Sequence, residues 1–204
     1  ARGTPAHSTV SYHDTSSCQF VERTAMKRLL RGAPIVSGPT DVSSEREFVD
    51  DGTLLTSSHD GYLGRFGVIH TRVLLLSNDG LRLDGEDTLA PPHGARVRGH
   101  DADYAVRFHL HPAIKASRLS DAHGVMLVLP NREVWTFETP DDKVELEDSV
   151  FLAGSDGARR TQQIVIRQDA RQVGNIRWSF IRSSASASAT HARRNAHREP
   201  QLPL

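Results

Sequence analysis

Apolar and polar residues alternate with a period of two along much of this chain, the pattern of strands with one buried and one solvated face. Tyr104, Val106, Phe108 and Leu110 alternate with Ala105, Arg107, His109 and His111. Phe66, Val68 and His70 lead into the apolar run Val73 to Leu76, and Asn78-Asp79-Gly80 then separates that run from Leu81-Arg82-Leu83. The Asp-Gly step supplies the positive φ angles of a tight hairpin, and Asp50-Asp51-Gly52 repeats the signal between 45–49 and 53–56. Further strands are predicted at 124–129, 133–137, 144–152, 162–167 and 175–181, with Pro130-Asn131, Pro140-Asp141-Asp142 and Ser155-Asp156-Gly157 as turns between them.

Short strands at regular spacing with no long helical period predict an all-β fold, an antiparallel β-sandwich. One short helical candidate spans 21–31, where Val21, Ala25, Met26, Leu29 and Leu30 share a side ahead of Gly32. From Ser183 onward, Ser, Ala, Arg and Pro replace the strand pattern and offer nothing from which to build a core. The expected organisation is a sandwich over 1–182 and a disordered C-terminal tail over 183–204.

Composition narrows the function. The 204 residues carry 25 basic and 25 acidic side chains, so the basic excess of a dedicated nucleic-acid binder is missing. Arg193, Arg194 and Arg198 fall in the tail, which leaves the sandwich slightly acidic. The longest apolar run, Val125 to Leu129, is too short to span a bilayer. The single cysteine, Cys18, cannot form an internal disulfide and leaves the redox compartment open.

Eleven histidines invite a metal or acid–base reading, since imidazole titrates near neutrality and ligates zinc. His109 and His111 are two apart on one predicted strand, so both could meet one ion. The competing reading is a polar sheet face with hydrogen-bonded imidazoles. His59 with Asp60, Gly61 and Tyr62 places an imidazole and a phenol around a turn, a pair able to act as general base and acid beside a carbonyl. Ordinary turn chemistry, with Tyr62 as an anchor, accounts for the same residues. Arg159 and Arg160, beside a turn, could hold a carboxylate or sulfate or be a solvated charge pair. The chain has no nucleophile elbow, phosphate loop, dinucleotide fingerprint or paired-cysteine zinc motif.

Several stretches, in order, go further. Thr4-Pro5-Ala6-His7-Ser8-Thr9-Val10 is followed by Asp14 to Cys18, His59-Asp60-Gly61-Tyr62, Arg65 to His70, Leu83-Asp84-Gly85-Glu86-Asp87, Arg107 to Pro112, Arg160 to Val165 and Ile176-Arg177-Trp178. Together they resemble the heparinase II/III family of polysaccharide lyases, and are most similar to its bacterial members of unassigned substrate. The resemblance implies an α/α toroid followed by a C-terminal β-sandwich, with the active site between them. It implies β-elimination of uronic-acid-containing polysaccharides, in which a His or Tyr abstracts the C5 proton and a Tyr protonates the departing O4. It also implies a zinc held by two histidines and an aspartate.

Carried over by residue, one ligand lands here. His7 matches the family's last zinc histidine, with Ser8 in place of the usual Asn. The resemblance puts the remaining ligands and the toroid's catalytic groups upstream of Ala1, so the expectation is an N-terminally incomplete lyase domain, inactive alone, whose zinc is not fully ligated by this chain. Acidic polysaccharide is then met through the missing toroid, and the family points to the periplasm or cell envelope. Two other readings stand beside it: a noncatalytic carbohydrate-binding sandwich, and a metal enzyme built on His109 and His111.

Overall fold

The computed structural model describes residues 3–21, 34–98, 102–140, 142–152 and 157–183. Of the helix expected over 21–31 only Val21 is described, and the tail beyond Ser183 lies outside the described residues. Among those residues nearly all the regular structure is strand, the exceptions being one 3-10 turn at Thr4–Ala6 and one helical turn at Leu63–Phe66.

The strands are β1 (Val10–Tyr12), β2 (Gln19–Phe20), β3 (Ile35–Ser37), β4 (Val42–Val49), β5 (Gly52–His59), β6 (Ile69–Ser77) and β7 (Arg82–Ala90). They continue with β8 (Asp103–His109), β9 (Lys115–Arg118), β10 (Gly124–Val128), β11 (Val134–Glu138), β12 (Glu145–Phe151), β13 (Arg159–Asp169) and β14 (Asn175–Arg182). An eight-stranded sheet runs β4-β5-β6-β7-β14-β11-β10-β9, and a four-stranded sheet runs β1-β8-β13-β12, while β2 and β3 pair separately. All pairings are antiparallel, so the expected sandwich is the fold.

Register explains the core. Phe137, Trp178, Phe180, Val125 and Leu127 fall on one face of the larger sheet, and Val106, Phe108, Ile164 and Ile166 belong to the smaller sheet; all belong to or pack against one cluster. The ring of Phe108 stands 4.7 Å from Trp178 and 4.9 Å from Phe137, centroid to centroid, which locks the two layers through aromatic edges. Eight strands facing four leave part of the larger sheet uncovered. On β4 every residue is exposed, and Phe48, whose register continues through Leu76 and Leu83 to Phe180, is 78% exposed.

Three local expectations are corrected. Phe66 and Val68 do not begin a strand: Leu63–Phe66 form one helical turn, ended by Gly67 in the left-handed region (φ 74°), and β6 starts at Ile69. Gly52 is not a turn residue with positive φ. The loop is Asp50-Asp51, and Gly52 opens β5, where a Cβ would fall 2.0 Å from the Leu76 carbonyl oxygen. Arg159 and Arg160 lie on β13 opposite Phe151 and Val150 rather than in a loop. The Asp79-Gly80 hairpin forms as expected, with Gly80 at φ 69° between β6 and β7.

Candidate functional site

The larger sheet sets His59, His70, Arg72 and Asp87 side by side. His59 on β5 pairs with His70 on β6, and Arg72, two residues on, pairs with Asp87 on β7. This is the core-facing side of the sheet, which continues through Leu74 and Trp178. The two groups buried there, His70 and Asp87, must find partners inside the protein.

Asp87 is 1% exposed and accepts four hydrogen bonds: from His70 Nε2 (2.8 Å), from Arg72 Nε and Nη2 (2.7 and 2.9 Å), and from Trp178 Nε1 (2.9 Å). Burial opposes ionisation of Asp87, but the bonds from His70 and Arg72 outweigh it and hold the carboxyl below its ordinary pKa.

His59 closes the chain of contacts. Its Nδ1 accepts the Gly61 N–H at 3.2 Å and its Nε2 lies 3.2 Å from His70 Nδ1. With Nδ1 an acceptor, the neutral His59 carries its proton on Nε2 and donates to His70, which in turn donates from Nε2 to Asp87. Burial, with the neighbouring His70 second, lowers the His59 pKa to about 4. Tyr62, the expected partner of His59, is fully buried; its hydroxyl donates to the Val10 carbonyl at 3.0 Å, and burial pushes its pKa up to about 12. The hydroxyl and both ring nitrogens are therefore engaged within the fold.

His109 and His111 do not share a strand face: β8 ends at His109. His109 Nε2 donates to the Pro5 carbonyl at 3.0 Å and its Nδ1 accepts from the Ser149 hydroxyl at 2.9 Å. Burial lowers its pKa, in keeping with the neutral ring this pattern requires. His111 accepts the Ala113 N–H on Nδ1 and sets its ring edge-on to Phe151.

His7, His109 and His111 do line one cavity of about 480 Å³, with Phe151 and Thr161. Among the described residues, no three His, Cys, Asp or Glu side chains are grouped so as to hold a metal ion. The zinc that the family resemblance implies does not fit these residues alone, because the His109 nitrogens are already bonded to Ser149 and Pro5. His7 is exposed, and its side chain makes no hydrogen bond among the described residues.

Sequence reading singled out His59 and Tyr62 but gave His70, Arg72, Asp87 and Trp178 no role. The available signal was polarity on a core face: His70 and Arg72 precede Leu74 and Leu76 at the same two-residue spacing.

The family described as "Heparinase II/III-like, C-terminal" matches residues 1–179. A protein named FtsZ-localized protein C, from Caulobacter vibrioides (strain NA1000 / CB15N), is 34% identical over 185 residues, covering 87% of this chain and 31% of that protein. A crystal structure of heparinase III superposes with a TM-score of 0.60 at 14% identity, covering 89% of this chain and 24% of the other. A second heparinase III structure gives 0.63 at 10% identity, over 92% and 25%. These structures share the fold, and the chain spans about a third of the Caulobacter protein's length and about a quarter of theirs.

Proposed function

Because the chain belongs to the heparinase II/III-like C-terminal domain family, we propose that it is the sandwich half of a polysaccharide lyase acting by β-elimination on a uronate-containing polymer. In that reaction a base removes the C5 proton, the C4–O4 bond breaks as the C4–C5 double bond forms, and an acid returns a proton to O4. The carboxylate beside C5 must be neutralised as charge develops. The domain presents His7 at its surface, while the proton-transfer groups come from residues outside this chain.

One observation supports this division of labour. His59, Tyr62 and His109 are committed to internal hydrogen bonds, whereas the His7 imidazole is exposed. The test compares this chain with the complete natural gene product on a panel of uronate polysaccharides, heparan sulfate and alginate-like polymers among them. Ultraviolet absorbance of the unsaturated uronate end is followed. Elimination by the complete product alone, lost in His7→Ala, is the expected result. Saturable glycan binding without any elimination would replace this reading with that of a noncatalytic carbohydrate-binding sandwich.

The 34% identity to FtsZ-localized protein C over most of this chain supports a second reading, that the complete product localises with FtsZ. A fluorescent fusion imaged with labelled FtsZ decides it, and a diffuse or peripheral signal independent of FtsZ would reject it. A periplasmic or cell-envelope location, as the lyase reading implies, would instead place the fusion outside the cytoplasm.

A further inference from the structure

We propose that Arg72 is the positioning residue for His7, holding the main chain beside it in place from the opposite sheet. This rests on reading His7 as the group the domain presents. The backbone on both sides of His7 is anchored. The Pro5 carbonyl accepts His109 Nε2–H at 3.0 Å, and the Ser8 carbonyl accepts Arg72 Nη1–H at 2.8 Å. The Ser8 hydroxyl accepts the His109 main-chain N–H at 2.9 Å, and the Val10 carbonyl accepts the Tyr62 hydroxyl at 3.0 Å. The chain is thus pinned at residues 5, 8 and 10, and the exposed residue His7 lies between the first two.

Arg72 is held firmly as an anchor. Its Nε and Nη2 are held by the two oxygens of buried Asp87, and its guanidinium carbon lies 5.6 Å from the Trp178 ring centroid and 6.0 Å from that of Phe108. With the plane fixed on one edge and against two aromatic rings, Nη1 can point only along one line, and Ser8 lies on it. Lysine has a single nitrogen and cannot grip Asp87 at two points while also reaching Ser8.

Hydrogen–deuterium exchange on the complete natural gene product tests the assignment, read by mass spectrometry on the peptide spanning residues 4–12. Arg72→Gln is expected to accelerate exchange there by about tenfold, through easier local opening. Arg72→Lys, which keeps a charge beside Asp87, is expected to do the same and decides the matter if the glutamine variant does not fold. Thr139→Val removes a buried hydrogen bond, from the Thr139 hydroxyl to the Asp142 carbonyl at 2.8 Å, that touches neither Arg72, Asp87 nor residues 4–12, and is expected to leave this peptide within about twofold of the parent. Unchanged exchange in the arginine variants, or equal acceleration in Thr139→Val, would overturn the proposal. The readout needs no glycan, so absence of lyase activity would reject the proposed function and leave this assignment standing. Activity without the exchange effect would do the reverse.

Discussion

The six-membered ring of Trp178 occupies the space that a side chain at Gly85 would need. A Cβ there would fall 2.2 Å from Cζ2 and 2.4 Å from Cε2 of the indole, across the β7–β14 pair. The close approach places Nε1 of the same ring on Asp87, so one glycine permits both the aromatic core and the buried polar cluster.

Gly85→Ala is therefore expected to cost about 3 kcal/mol or more, since a rigid core ring must shift. Gly80→Ala, at φ 69° with open space around it, should cost about 1 kcal/mol through backbone strain alone. Urea denaturation of the two variants checks the ranking, and similar losses would contradict it.

Asp87→Asn leaves Arg72 without its counter-charge and one N–H donor facing another, with an expected cost of about 3–5 kcal/mol. Asp87 has its pKa lowered by folding, so the stability it contributes is present above the ordinary carboxylate range and is lost as pH falls through the lower folded value. Melts of parent and variant across the acidic range should converge as the parent loses this contribution.

For His59 the folded pKa of about 4 lies below the ordinary value of 6.5. The unfolded chain takes up the proton first, so stability is full above about pH 6.5 and declines between 6.5 and 4. Solvent screening of this part-exposed ring keeps the effect to about 1–2 kcal/mol. His59→Gln should flatten the melting temperature over that interval, and an unchanged slope would assign it elsewhere.

Tyr62→Phe strands the Val10 carbonyl inside the protein and is expected to cost about 1–2 kcal/mol. In the complete gene product, at a temperature where the variant stays folded, turnover should change no more than a few-fold. Loss of about a hundredfold or more would instead make the phenol a proton donor.

The uncovered end of the larger sheet gives a fifth expectation. Phe48 is 78% exposed and Val42 68% exposed on the edge strand β4, although Glu45, Arg46 and Glu47 put charge along the same edge. The isolated chain should self-associate at high concentration in sedimentation velocity, and Phe48→Lys should restore a monomer.

Local chemistry was enough to make the strands legible. The alternation at 104–110 gave β8, and the Asp79-Gly80 turn fixed the β6–β7 hairpin, whose register already places Arg72 opposite Asp87. These signals are local because side-chain direction alternates residue by residue and a tight loop fixes the pairing of what it joins. The roles of the histidines and Tyr62 were not legible in this way. His59 and His70 are joined through a longer connection that does not set register, and Trp178 reaches Asp87 from β14, ninety-one residues along the chain. Whether an imidazole is available depends on what its two nitrogens already hold. Those partners, Pro5 and Ser149 for His109 and Gly61 and His70 for His59, are brought together mainly by packing between strands and sheets. The sequence alone determined an antiparallel sandwich rich in imidazoles. Tertiary structure decided which of them are spent on holding it together, and that His7 stands at the surface between anchored carbonyls.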